Sequence, residues 1–285
     1  MTNPLLPDLG QRTYVMAILN LTLDSFSGDG LLQKAHPLEE TLAQARRFVA
    51  EGADILDLGA ESTRPGARPV SAEMELEALL PVLPLLRQEL PNVVISVDTY
   101  KASVAEACLQ AGAQIINDVW AFQKDEGMAA VVAKHGATVV LMHNRSAHQT
   151  EATALGGRYV DVHYDNIVAE VSAGLSDAVH LAQIAGIADE RILVDPGIGF
   201  GKTTAQNLQL LKHLARLREL GHPILLGISR KSFIGYTLDL PVDQRLEGSL
   251  AANAWGILHG ADVVRVHDVL ATVRLARMLD AIRAA

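Results

Sequence analysis

The sequence predicts an α/β chain closed as a (β/α)8 barrel, and three observations carry that expectation. Eight short apolar runs alternate with longer amphipathic segments from end to end. Several of those runs place Val, Ile or Leu at both odd and even positions, as parallel strands covered on both faces require. Hydrophobic residues make up 49% of the chain and aromatics only 4%, so the core must be built from Leu, Ile, Val and Ala. A chain of 285 residues suits either two domains or one barrel. No linker or composition break divides it, and eight strand–helix pairs favour one barrel domain over residues 1–285 rather than an open, doubly wound sheet.

In chain order, strands are expected at 14–20 (YVMAILN), 54–59 (DILDLG), 93–98 (VVISVD) and 114–119 (QIINDV). Four more follow at 138–143 (TVVLMH), 191–197 (RILVDPG), 223–229 (PILLGIS) and 262–267 (DVVRVH). Helical periodicity fills the intervals, for instance over 37–53, 101–113 and 203–220. The pairs Gly52-Ala53, Gly112-Ala113, Gly136-Ala137 and Gly260-Ala261 follow helices and precede strands, where a glycine suits the left-handed cap. The longest stretch without periodicity, 144–161, is expected to be an exposed loop after the fifth strand.

Composition excludes several function classes. A formal charge of −9 argues against a nucleic-acid surface, so an anionic ligand must be held by a few local cations. The single cysteine, Cys108, permits neither an internal disulfide nor a Cys-rich zinc site, and its helical setting marks a small core residue. The start "MTNPLLPDLGQRT" lacks a basic region followed by a long apolar run. No segment approaches the roughly 18 apolar residues of a membrane helix, and the expected compartment is the cytoplasm.

Polar residues gather at the C-terminal ends of the strands: Asn20, Asp57, Asp98, Asn117, Asp118, His143, Asp195, Ser229 to Lys231, and Arg265 to His267. In a barrel these ends converge on one mouth. Asp57 is read as a helix cap, and Thr99 or Ser103 as the cap after Asp98. The turn "DPGIGFGKT" lacks the GxxxxGK[ST] spacing of a nucleotide loop; its glycines are expected to let the backbone approach a flat ligand, with Phe200 as a stacking face. Arg230 and Lys231 follow one strand, while Arg265 and His267 alternate on one face of another. Thr63 and Arg64 sit on a second loop, where Arg68 is read as a solvated turn residue. The pattern demands a ligand with two ends. A planar heterocycle would meet Asp98, Asn117 and Asp195, and an anion would meet Arg64, Arg265 and His267 with a metal assisting at Asn20.

Six stretches, "ILNLTLDSFS", "ESTRPGA", "SVDTYKASVAEACLQAGAQIINDV", "LVDPGIGFGKT", "SRKSF" and "RVHDV", together resemble the dihydropteroate synthase family over nearly the whole chain. The resemblance implies a TIM barrel that joins 6-hydroxymethyl-7,8-dihydropterin pyrophosphate to p-aminobenzoate, with Mg²⁺, by dissociative loss of pyrophosphate. It implies pterin contacts from Asp98, Asn117, Asp195 and Lys231, and pyrophosphate contacts from Asn20, Thr63, Arg64, Arg265 and His267, with Asn20 at the metal. It assigns p-aminobenzoate to Phe26, Thr63, Pro65, Phe200, Lys231 and Ser232, and catalysis to Asp98, Lys231, Arg265 and His267. It further implies a homodimer through C-terminal helices and inhibition by sulfonamides, because "PGIGFGK" carries no inserted residue. The first loop, Thr22 to Asp29, is expected to act as a lid that places Phe26 beside the amine.

The chain departs from the family's usual NVTPDSFSDGG at Leu23 and Gly28-Asp29, which frees the loop backbone and displaces its acid. Contacts from His143 and Asn144 are left open, since "LMHNRS" replaces a longer segment. Rival readings are a pterin-binding methyltransferase barrel, which has no need of the SRK and RVH cations, and a pterin-binding protein without catalysis. A barrel for an unrelated phosphorylated substrate explains the cations but not the acids.

Overall fold

The computed structural model describes residues 3–21, 37–61, 69–146, 150–153 and 155–285. Its strands are β1 (Tyr14–Asn20), β2 (Ile55–Gly59), β3 (Val94–Asp98), β4 (Ile115–Asp118), β5 (Thr138–Met142), β6 (Thr150–Thr153), β7 (Gly156–Tyr159), β8 (Ile192–Asp195), β9 (Ile224–Gly227) and β10 (Ala261–Val266). Eight of them close a parallel barrel in the order β1-β10-β9-β8-β5-β4-β3-β2. Each expected strand is present, its ends trimmed by up to two residues, except that β10 starts one residue earlier than expected.

The helices are α1 (Pro37–Glu51), α2 (Ala72–Leu79), α3 (Leu83–Glu89), α4 (Ala102–Gln110), α5 (Met128–His135), α6 (Ile167–Ile184), α7 (Thr204–Lys212), α8 (Ser232–Leu238), α9 (Leu246–Leu258) and α10 (Val269–Ala284). Among the described residues none is long and apolar enough to cross a membrane.

The two-residue period of each strand divides the core in two. Outward-facing residues such as Leu56, Val97, Leu141 and Val264 join the helices in one large apolar shell. In that shell α1 contributes Thr41, Leu42, Ala45 and Phe48 from one face. Cys108 lies fully buried in α4, and burial pushes its thiol up to about 12, which removes it as a nucleophile. Inward-facing Tyr14, Met16, Ile55, Ile115, Val140, Leu193, Leu225 and Val263 form a separate cluster with Leu6, whose segment plugs the N-terminal end of the barrel. A fully buried Leu of this kind contributes about 1.5–3 kcal/mol. The barrel therefore has a solid apolar floor beneath its mouth.

The Gly-Ala pairs behave as expected. Gly52, Gly112, Gly136 and Gly260 all take positive φ. The N–H groups of Ala53, Ala113 and Ala137 reach back five residues to the carbonyls of Phe48, Cys108 and Val132, the Schellman pattern that ends each helix before the next strand.

Three expectations are corrected. The periodic stretch 203–220 is not one α-helix: α7 stops at Lys212 and a 3₁₀ segment runs over Leu214–Leu220. That tighter winding stacks Leu214 over Leu217, and both are fully buried. The stretch 144–161 is not a plain exposed loop, since β6 and β7 pair there as an antiparallel hairpin. Tyr236 Oη and Arg245 Nη2 hold its far side by bonds to the carbonyls of Gly156 (2.8 Å) and Leu155 (2.9 Å). Neither Thr99 nor Ser103 caps α4; the Ala102 N–H donates instead to Asp125 Oδ2 at 2.8 Å, while Thr99 Oγ1 accepts from Lys101 N and donates to Glu75.

Candidate active site

Continuing the inward face of each strand beyond the floor generates the mouth. From Met16 it runs to Asn20, from Ile55 to Asp57 and Gly59, from Val94 to Ser96 and Asp98, and from Ile115 to Asn117. Leu193 leads likewise to Asp195, Leu225 to Gly227, and Val263 to Arg265. Parallel registers align Asn20 with Gly59, Gly59 with Asp98, and Asp98 with Asn117 around one side of the rim. The expected site residues in the strands thus share one cavity because they share one parity.

Arg265 is the centre of that cavity's charge. Its Nε donates to Asp57 Oδ2 at 2.6 Å and its Nη2 to Asp98 Oδ2 at 2.8 Å. Asp57 also accepts from Ser96 Oγ (2.5 Å) and Asn117 Nδ2 (3.1 Å), and it is fully buried. The helix-cap reading of Asp57 is therefore wrong: it lies mid-strand and ties β2 to β3, β4 and β10. Its parity with Ile55 and Gly59 in "DILDLG" was the available signal, since caps follow strands rather than interrupt them.

Across the cavity, Asp195 Oδ1 accepts from Gly197 N at 2.7 Å. A Cβ built on Gly227 would lie 3.8 Å from both Asp195 Oδ2 and Arg265 Cβ, so the acid and the stem of the arginine flank one point.

Lys231 reaches across from the start of α8 to the carbonyl of Ile198, and its Nζ sits 4.6 Å from the centroid of Phe200. Ser232 opens α8 beside it. Ser229 Oγ faces His267 Nδ1 at 3.1 Å. Asp118 and Arg230 do not face the cavity's acids and cations as expected. Asp118 points to the outer shell, where its oxygens accept from Trp120 N (2.9 Å) and Phe122 N (2.7 Å). Arg230 forks onto Asp268 at 3.0 and 2.5 Å.

The expectation for the glycine-rich turn is corrected in part. Gly197 and Gly201 bring backbone against backbone, while Gly199 faces the Lys231 side chain of the site. A Cβ on Gly197 would stand 1.9 Å from the His143 carbonyl oxygen and one on Gly201 2.2 Å from that of Arg145, both at positive φ. Beneath this contact lies Lys202, which sequence reasoning missed. It is buried, and its Nζ lies 2.8, 3.0 and 3.3 Å from the carbonyls of Gly197, Phe200 and His143, and 3.1 Å from His143 Nδ1. A lysine after "GFG" looks like a solvated turn residue, so the sequence offered no signal. Asn144 supports the same region through Val119 O at 2.9 Å. A second buried cluster, in which Lys101 pairs with Glu61 and Glu75, was also missed. Phe26, Thr63, Arg64 and Pro65, with Leu23, Gly28, Asp29 and the remainder of the first loop, lie outside the described residues.

Burial sets the protonation of the rim. It pushes Asp98 up to about 7 despite the opposing pull of Arg265, and it raises Asp195 against the pull of Lys231. The Lys231 amine is drawn down to about 8 by burial, with Asp195 resisting. Arg265 is desolvated too, but Asp57 and Asp98 hold its pKa above the usual value. His143 is brought down to about 3 by burial and by Lys202. Titratable groups moved toward neutrality by burial against specific charge partners mark this rim as a candidate functional site.

Among the described residues no group of three or more His, Cys, Asp or Glu could hold a metal. Asn20 ends β1 at the rim and carries an amide oxygen, the ligand type that suits a hard cation taking most of its other ligands from phosphate and water.

Comparison with known proteins agrees with this geometry. Residues 16–267 match the family model described as pterin binding enzyme. The chain is 44% identical over 276 residues to a dihydropteroate synthase of Clostridium beijerinckii, covering 96% of each. It superposes with a TM-score of 0.87 on a dihydropteroate synthase from Clostridium difficile determined in the presence of pteroic acid, at 44% identity, covering 96% of this chain and 98% of that one. The Yersinia pestis dihydropteroate synthase in a sulfonamide drug complex gives a TM-score of 0.87 at 39% identity, with coverage of 96% and 95%. A closed barrel, an acid-and-amide wall beside a cationic rim, and these likenesses place the chain in the pterin binding enzyme family, among its dihydropteroate synthases.

Proposed function

We propose that the rim joins 6-hydroxymethyl-7,8-dihydropterin pyrophosphate to p-aminobenzoate by a dissociative displacement. The observation that carries this reading is that Asp195 Oδ2 and the stem of Arg265 both lie 3.8 Å from one point at Gly227, while Arg265 Nη2 reaches on to Asp98, so one small molecule at the rim can meet all three side chains. Asp98, Asn117, Asp195 and Lys231 hold the pterin ring, whose amino-pyrimidinone edge meets a carboxylate as a guanidinium does. Arg265, His267 and Asn20, with Thr63 and Arg64, hold the diphosphate. Phe200, Lys231 and Ser232, with Phe26, Thr63 and Pro65, shape the p-aminobenzoate pocket.

As the C–O bond lengthens, its electron pair leaves with the diphosphate and the positive charge spreads into the ring. Carboxylates facing that ring and cations facing the departing anion are the preorganised dipoles such a separation needs. The lone pair of the neutral aromatic amine then forms the bond to the CH₂ carbon, and the resulting ammonium passes its proton to water, so no covalent nucleophile is required. Mg²⁺ bound with the diphosphate would neutralise leaving-group charge, with Asn20 the described residue placed to hold it. One domain over residues 1–285, acting in the cytoplasm as a homodimer, completes the proposal. Exposed Trp255 and Leu258 on α9 are the apolar surface that supports pairing.

Diphosphate release measured with and without p-aminobenzoate and Mg²⁺ tests the mechanism. Slow Mg²⁺-dependent release without the amine is expected, with sulfonamide competing against p-aminobenzoate. Release that strictly requires the amine would overturn the dissociative order.

The pH dependence follows from the rim. Ring binding needs Asp98 ionised and Lys231 protonated, so kcat/KM for the pterin substrate should rise with pH through about 7 and fall above about 8. The two limbs belong to the coupled set rather than to either residue alone. A profile flat from pH 6 to 9 would count against these roles.

A further inference from the structure

We infer that Asp57 is a positioning residue that dictates the orientation of Asn117 and Arg265 together, and thereby which hydrogen-bonding pattern the ring wall accepts. The inference rests on the reading that Asn117 and Arg265 meet substrate. Asp57 itself lies one layer beneath the rim, aligned with Ser96, while Gly59 takes the rim position of its strand.

An ionised carboxylate can only accept, so each group bound to it must present a donor. Ser96 Oγ occupies Oδ1, while Asn117 Nδ2 and Arg265 Nε share Oδ2. An amide can sit either way round, and its neighbours decide. With Nδ2 committed downward to Asp57, Asn117 turns Oδ1 to the cavity. Asn117 Oδ1, Asp98 and Asp195 then supply the acceptors of the wall, and Lys231 its donor. The wall favours a planar ring that turns its N–H donors toward these three acceptors.

The same carboxylate governs Arg265. Its guanidinium is shared between Asp57 through Nε and Asp98 through Nη2. Removing the Asp57 charge lets the guanidinium turn wholly onto Asp98, which takes from the ring an acceptor it needs. It also frees the plane that aims the remaining N–H groups at the diphosphate. Misplacement of such groups by about 1 Å costs on the order of 100-fold in rate.

The test uses the full-length chain with Asp57→Asn, which keeps the volume, and Asp57→Glu, which keeps the charge and shifts it by one methylene. Folding is checked by thermal unfolding, and the glutamate variant carries the test if the asparagine variant does not fold. The expected result is a 10- to 100-fold fall in kcat/KM for the pterin pyrophosphate, by analogy with the misplacement cost of about 100-fold. KM for p-aminobenzoate should change little. The acid limb of the pH profile should move to lower pH, because Arg265 then bears more fully on Asp98. Discrimination between the pterin and an analogue lacking the exocyclic amine should shrink. A folded variant with parental kinetics overturns the inference, and so does equal damage toward both substrates with an unmoved acid limb. Asn117→Ala serves as the reference. If it leaves pterin kinetics intact, the reading of the wall itself fails; if it damages them while Asp57→Asn does not, only the positioning role fails.

Discussion

Arg265→Met should lower stability by about 3–5 kcal/mol, the usual penalty for removing one partner of a buried ion pair. In a protein of this size that is a fall of about 10 °C in Tm. The reason is local. Asp57 and Asp98 are both buried and share this one guanidinium, so its loss leaves two carboxylates facing each other without a cation between them.

The loss should also depend on pH, with a definite sign. Asp98 already stands at about 7 with Arg265 beside it, and without that charge it must stand higher. A carboxyl raised in the folded state binds more protons than in the unfolded chain, so its stabilising share is present at acid pH and fades as pH rises through the folded value. The variant should therefore melt closest to the parent near pH 5 and fall progressively behind through pH 8. A Tm difference that stays constant over that range would show that the penalty is not electrostatic. Arg265→Lys should recover part of the stability but little activity, because a point charge cannot fork onto two carboxylates.

Asp195→Asn should reduce kcat/KM for the pterin substrate by about 100- to 1,000-fold, as loss of a buried charge-assisted pair at a binding surface does. The amide is a worse replacement than its size suggests. Gly197 N–H donates to Asp195 Oδ1, and that bond will keep the amide oxygen. The NH₂ is then turned to the cavity, donor against donor. The folded protein should be as stable as the parent or slightly more so, since burial disfavours the charged carboxylate. Lys231 loses the partner that holds its pKa up, so the basic limb should shift to lower pH. A titration of the pterin pyrophosphate by calorimetry, together with the pH profile, checks both. A loss under tenfold would remove Asp195 from the ring wall.

What could be read from the sequence follows the range of the forces involved. Strand period is local, and so all eight barrel strands and the inward parity of Asn20, Asp98, Asn117, Asp195 and Arg265 were legible. For Asp57 parity could signal an inward direction but not a role, because its meaning lies in Arg265, 208 positions away and reached only through the barrel interior once the sheet has closed. Lys202 was hidden for another reason: three of its four partners are main-chain carbonyls, which any sequence supplies. The turn around Gly197 was read for the right geometry and the wrong neighbour. A close approach was foreseen, but only tertiary packing reveals that it is made to the carbonyl of His143. Asp118 and Arg230 show the limit of counting polar residues at strand ends, since one faces the opposite side of its strand and the other is claimed by Asp268.

The isolation of Cys108 has a consequence for the molecule's life in changing surroundings. With its lone thiol locked inside α4 and held in the unreactive protonated form, the native protein presents no cysteine for glutathione or a foreign disulfide to attack. Disulfide exchange and mixed-disulfide formation are therefore denied to it for as long as the barrel stays closed. Labelling by a thiol reagent becomes a record of how often α4 comes away from the strands beneath it.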